Sequence, residues 1–111
     1  MNIETIAKRA DFLLAQKGGK SCATSGVAVQ LRVRGDTGPL RVGYTVSKKV
    51  GNAVTRNRAK RKLREVARQV LGSRMDVLIG MDIILIGRSS TPGRDFKLLL
   101  KDMESALPRL V

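Results

Sequence analysis

The sequence predicts an α+β domain, a small α/β sandwich with helices packed on a mixed four-stranded sheet. Three observations carry this. Apolar residues alternate with a period of two across residues 27–33 and 40–46, as in half-buried strands. They recur at spacings of three and four before and after that stretch, as in amphipathic helices. The run Ile83, Ile84, Leu85 and Ile86 suits a short strand buried on both faces. The predicted order is α-β-β-β-α-β-α, and 111 residues are enough for one domain over 1–111 with its own core.

Each element has its own signal. Ile6, Ala10, Leu13, Leu14 and Lys17 follow helical spacing, Gly18 and Gly19 stop them, and Thr5 or Asn2 is placed to cap the start. Residues 20–23 form a further short strand. Val27, Val29, Leu31 and Val33 alternate with Ala28, Gln30, Arg32 and Arg34, and Leu40, Val42, Tyr44 and Val46 alternate again. The turn cluster Gly35-Asp36-Thr37-Gly38-Pro39 between them predicts an antiparallel hairpin. Over 54–71, Ala59, Leu63, Val66, Ala67 and Val70 make one apolar stripe, with Gly72 as the stop. A last helix starts near Asp95, turns Phe96, Leu99, Leu100, Met103 and Leu107 to one side, and ends at Pro108.

Composition narrows the function. There are 22 Lys and Arg against 9 Asp and Glu, a net charge of +13 and an isoelectric point near 11.2. A chain so charged repels itself unless something anionic lies against it, and nucleic acid is the usual partner. A membrane partner is not expected: the most apolar run, 77–86, is interrupted by Gly80 and Asp82 and is about half the length that spans a bilayer. The acidic, unremarkable start is not that of a signal peptide. A single cysteine, Cys22, reads as a small structural residue of a protein in reducing cytoplasm.

The charge is concentrated. Lys48, Lys49, Arg56, Arg58, Lys60, Arg61, Lys62, Arg64, Arg68 and Arg74 are opposed only by Glu65. On a helical wheel Arg56, Asn57, Lys60, Arg61, Arg64 and Arg68 occupy an arc beside the apolar stripe, while Arg58 and Lys62 lie on the other flank. Like charges four residues apart weaken an isolated helix. The stripe must therefore hold the helix, and the arginines must meet something else, for which phosphate oxygens match the guanidinium fork. A solvated face would mix both signs. Ahead of the helix, Ser47-Lys48-Lys49-Val50-Gly51-Asn52 lets an anion approach the backbone, but the spacing is not that of a Walker loop. Of three aromatics, Phe96 reads as core, while Phe12 and Tyr44 are open between core and surface.

No catalytic residue is predicted. There is no His, and the scattered acids show no metal-binding spacing. Asp76 and Asp82, flanking the predicted strand, read as turn and edge residues, and no metal site is expected on the protein.

The segment RVGYTVSKKVGNAVTRNRAKRKLREVAR, residues 41–68, resembles the signature of the bacterial ribonuclease P protein family. Lys48, Lys49, Gly51 and Asn52 match its Lys-Lys and Gly-Asn, and Arg56, Asn57, Arg58, Lys60 and Arg61 match its Arg-Asn-Arg-x-Lys-Arg core. RADFLLAQKGG near the start is similar to the family's first helix. The resemblance implies the accessory subunit of a ribonucleoprotein that cuts the 5′ leader from precursor tRNA, with ribonuclease P RNA and precursor tRNA as partners. It further implies one protein per RNA, and a catalytic site with its Mg2+ on the RNA rather than on protein side chains. It points to Lys48, Lys49, Arg56, Asn57, Arg58, Lys60, Arg61, Arg64 and Arg68 as RNA-binding, and to Phe12, Lys48, Asn57 and Lys60 as bordering a cleft for the leader. Gln16 and Gln30 stand where the family often has aromatics, leaving fewer stacking surfaces there. On charge and size alone, a non-enzymatic ribosomal protein or RNA chaperone is the alternative.

Overall fold

A computed structural model describes residues 3–110. The elements run β1 (Glu4–Thr5), α1 (Arg9–Lys17), β2 (Lys20–Ala23), β3 (Val27–Val33), β4 (Arg41–Thr45), α2 (Ala53–Leu71), β5 (Met81–Gly87) and α3 (Phe96–Leu110), with single 3-10 turns at Lys48–Val50 and Gly72–Arg74. The α+β class holds, but the sheet has five strands rather than four. The added strand, β1, pairs in parallel with Arg41 and Val42, and two residues are too few to show any period. Thr5 is thus a strand residue and not a helix cap, and Asn2 lies outside the described residues. The residue before α1 is Lys8, whose side chain makes no capping bond.

The predicted hairpin between β3 and β4 does not form. β5 lies between them, antiparallel to β3 and parallel to β4, and the sheet order is β1-β4-β5-β3-β2. Alternation reveals which residues share a face but not which strand is the neighbour. β5 is the most apolar strand and gains most from having both flanks covered. The hairpin partner of β3 is β2, and Thr24 closes that turn: its amide and hydroxyl both donate to the Val27 carbonyl, at 2.9 and 2.7 Å.

One face of the sheet carries the main core. Val27, Val29 and Leu31 of β3, Val42 of β4 and Ile83 and Leu85 of β5 are buried there with Ala59, Leu63, Val66 and Val70 of α2 and Leu99, Met103 and Leu107 of α3. Asn52 caps α2, its Oδ1 accepting from the Thr55 amide at 2.9 Å, which satisfies one of the helix's orphan donors. Gly72 stays right-handed at φ −58°, so the helix tightens into a 3-10 turn instead of stopping. Pro108 does not end α3 but sits in its last turn. Buried Leu107 and Leu110 flank it, and their burial rewards the helical path past a proline that is itself exposed. Lys62 ties α2 to the loop that leads into α3, its Nζ donating to the carbonyls of Pro92 (2.7 Å) and Arg94 (2.8 Å).

The other face is built in cross-strand rows set by register: Arg32, Asp82 and Arg41; then Gln30, Ile84 and Gly43; then Ala28, Ile86 and Thr45. Here Asp82 departs from the expected edge position. β5 begins at Met81, two residues before the predicted strand, so Asp82 lies inside the central strand with no exposed surface. Arg41 grips it with two bonds of 2.9 Å, from Nε to Oδ1 and from Nη2 to Oδ2. Arg34 Nη1 donates to Oδ1 at 2.7 Å, and Arg32 Nη1 is 3.5 Å from Oδ2. Burial alone would push this carboxyl up, but the hydrogen bonds from Arg41 and Arg34, with their charges, outweigh it and hold it below the ordinary aspartate range.

Two outcomes follow for stability. Because the folded-state pKa of Asp82 is depressed, its contribution is present above the unfolded value of about 3.9 and is lost as pH falls through the lower folded value. Urea midpoints of the wild type should therefore drop from about pH 4 downward more steeply than those of Asp82→Asn; equal slopes would show that the carboxylate is not so held. Lys62→Met should cost about 1–3 kcal/mol by urea titration, the penalty for leaving two carbonyls without their donor.

Candidate nucleic-acid interface

β4 leads into the interface. Where it ends, the 3-10 turn Lys48–Val50 displays Lys48 and Lys49 to solvent, and the chain enters α2 through capped Asn52. The apolar stripe of α2 faces the sheet and α3, which turns its remaining positions outward. Asn57, Arg58, Arg61, Arg64 and Arg68 are exposed, and Lys60 and Arg56 are half-buried. The structure thus assembles all nine predicted RNA-binding residues along one turn and one helix.

They are not equivalent. Arg61 stands on a ridge between two recesses. One is lined by Val54, Asn57, Lys60, Arg61 and Arg64. The other is lined by Arg58, Arg61, Lys62, Glu65, Gln69 and Phe96, and Phe96, expected as core, also packs half-buried against the core. Arg64 is held over the ring of Tyr44, its Cζ 5.7 Å from the centroid, a cation–π contact that fixes the head group. Tyr44, open between core and surface in the sequence, is therefore both: its ring packs against the core and carries an arginine. The Nε of Arg56 is buried with no hydrogen-bond partner among the described residues.

Arg68 is occupied. It forms an ion pair with Glu65, with Nε donating to Oε2 at 3.0 Å, and Gln69 Nε2 donates to the same carboxylate at 2.9 Å. The bond from Arg68 comes first and that from Gln69 second in pulling the Glu65 carboxyl down to about 2. Elsewhere Asp82, Asp36 and Asp11 hold Arg34 and Arg41, and Asp102 holds Arg94 at 2.6 Å. Among the described residues no acid forms an ion pair with Lys48, Lys49, Arg56, Arg58, Lys60, Arg61 or Arg64. The strip thus holds the densest run of basic residues without an acidic partner among the described residues.

The residues expected to border a leader cleft are divided. Asn57 and Lys60 share the first recess on α2. Phe12 belongs to α1 on the opposite face of the sheet, where its ring lies against Gly43: a Cβ added there would be 2.8 Å from Phe12 Cε2. Lys48 stands on the turn that leaves β4. Gln30 lies in the same cross-strand row as Gly43, half-buried, and its Oε1 has no hydrogen-bond partner among the described residues. Gln16 is exposed on α1. Sequence reasoning missed three features of this region: the Asp82 row, the Tyr44–Arg64 contact and the glycine beneath Phe12. A Gly between Val42 and Tyr44 in an otherwise alternating strand was the one available signal of a close approach.

Asp11, Asp36, Glu65, Asp82 and Asp102 are each committed to a guanidinium, and no group of three or more metal-ligating His, Cys, Asp or Glu side chains gathers among the described residues. No helix of the described chain is long and apolar enough to cross a membrane.

Comparison with known proteins agrees with this geometry. A family model described as Ribonuclease P matches residues 2–111. The chain is 45% identical over 102 residues to the ribonuclease P protein component of Gluconacetobacter diazotrophicus, covering 92% of this chain and 86% of that one. It is 50% identical over 111 residues to that of Ruegeria pomeroyi, covering 97% and 86%. Among solved structures, the RNase P protein of Staphylococcus aureus superposes with a TM-score of 0.78 at 32% identity, covering 97% of this chain and 95% of that one. The RNase P protein of Thermotoga maritima gives 0.77 at 33%, covering 97% and 98%. A five-stranded mixed sheet flanked by three helices, with a dense run of unpaired cations along the helix that follows β4, is thus the scaffold of a chain that belongs to the ribonuclease P protein family.

Proposed function

We propose that this chain, as the protein subunit of a ribonuclease P holoenzyme, docks α2 on the catalytic RNA and offers its α1 face to the single-stranded 5′ leader of precursor tRNA, promoting endonucleolytic removal of that leader. The observation that carries the reading is the distribution of ion pairs. Acids neutralise Arg32, Arg34 and Arg41 at the sheet and Arg94 ahead of α3, while among the described residues none pairs with Lys48, Lys49, Arg56, Arg58, Lys60, Arg61 or Arg64, the densest run of cations without an acid in the sequence. A strip of this kind lowers the repulsion between two polyanions brought together on its surface.

The protein's contribution is binding and orientation, and the bond chemistry and its Mg2+ reside on the RNA, one protein serving one RNA in the cytoplasm. Contacts with the leader are available to precursor and not to mature tRNA, so they favour substrate over product and let product leave. The single-stranded leader passes over a surface with one ring, Phe12, where Gln16 and Gln30 supply amides instead of further stacking faces. Contact with about six phosphates makes affinity fall on the order of a thousandfold between 50 and 200 mM salt.

The direct test is reconstitution. Added to ribonuclease P RNA and precursor tRNA at low magnesium, the purified protein should raise leader cleavage well above that of RNA alone. No gain would favour a ribosomal or RNA-chaperone role. The strip has its own test: Arg56→Ala with Arg61→Ala should reduce the slope of log affinity for the RNA against log salt by about one per residue, and an unchanged slope would mean that α2 faces elsewhere.

A further inference from the structure

Nine residues long, α1 lacks a side-chain cap, and only Ala15 in it is fully buried. Such a helix is marginal on its own, so its position must come from specific contacts with the sheet. Two of these involve consecutive residues. Asp11 meets Arg41, Oδ2 to Nη1 at 3.3 Å, and Phe12 lies against Gly43. Arg41 and Gly43 are two apart on β4 and so share a face. One adjacent pair on the helix docks on one same-face pair of the strand.

Arg41 is itself immobilised. Its Nε and Nη2 are taken by the two oxygens of Asp82, each at 2.9 Å, and Asp82 is further held by Arg34. A bidentate grip fixes the plane of a guanidinium, and here it leaves Nη1 to face α1. The chain of contacts runs from the buried centre of the sheet to the surface helix without a flexible step.

We propose that Asp11 and Arg41 are positioning residues for leader recognition: the Asp82–Arg41–Asp11 relay sets the place of α1 on the sheet and thereby the seat of Phe12. This rests on the reading that Phe12 faces the leader. The sign of the effect separates the relay from simple electrostatics. Removing the negative charge of Asp11 should strengthen phosphate binding if charge alone mattered, whereas loss of the tether weakens leader binding.

The experiment uses the reconstituted holoenzyme with Asp11→Asn, Arg41→Lys and Phe12→Ala, measuring KM and kcat for precursor, binding of mature tRNA and amide hydrogen exchange. The expected result for Asp11→Asn and Arg41→Lys is faster exchange in α1 with α2 and α3 unchanged. KM for precursor should rise about twofold to fivefold, the scale of losing one partly exposed ion pair, with kcat and mature tRNA binding unaltered. Unchanged exchange in α1, or tighter precursor binding by Asp11→Asn, overturns the relay. Looser α1 with a response to Phe12→Ala but none to Asp11→Asn overturns it as well. Looser α1 with no response to Phe12→Ala overturns the leader reading instead, and with it the proposed role.

Discussion

The side of the sheet that carries α1 depends on one carboxylate with no exposed surface. Asp82 sits in the central strand, and the register of β3 and β4 delivers Arg32 and Arg41 to its two sides, with Arg34 reaching in from the end of β3. Alone, that charge would be costly to bury. Gripped by guanidiniums, it joins three strands, the turn after β3 and the first helix. Arg34 extends the hold to the turn through Asp36 and the Pro39 carbonyl. Opposite charges in cross-strand register are a general device of sheets, used here where one face is not sealed by apolar packing.

The arrangement sets the cations around Asp82 apart from those of the strip. Arg32, Arg34, Arg41 and Arg94 have acidic partners and serve architecture. Lys62 serves it too, through backbone carbonyls. Lys48, Lys49 and the basic residues of α2 up to Arg64 are left without acids. Residue type alone does not make this distinction. Arg41 on β4 and Arg61 on α2 carry the same head group, and the placement of Asp82 and Asp11 is what commits the first to architecture.

That sorting also explains what the sequence discloses. Long, strongly periodic segments are legible: the stripe from Ala59 to Val70 and the run from Leu99 to Leu107 occupy the core as their spacing predicts, because burying one face of a long helix overrides local detail. The basic strip is legible because it is local in the chain. Neighbours across strands are not. The insertion of β5 between β3 and β4 depends on a crossover through α2, and no turn residue between 35 and 39 reveals it. Asp82 is illegible for the same reason: two residues after Gly80 it has the texture of a strand end, and its three partners lie more than forty residues away in sequence. Pro108 misleads in the opposite sense, since a proline in an exposed last turn breaks little when buried leucines continue on either side.

The central place of β5 has a consequence for how the protein comes into being. The strand that joins β3 to β4 is the last of the five to leave the ribosome, and nearly the whole chain must emerge before the middle of the sheet can close. Until then the native pairings within reach are β2 with β3 and β1 with β4, two separate fragments too small to stand alone. Sheet formation is therefore a late, non-local event of the kind that folds slowly. During that interval the arginines of α2 are already synthesised while the apolar stripe that should anchor them has no sheet to rest on. A nascent or truncated chain is thus a sticky polycation without a shape, and only completion of the seventh element, in the middle of the sheet, turns it into a surface with a defined grip.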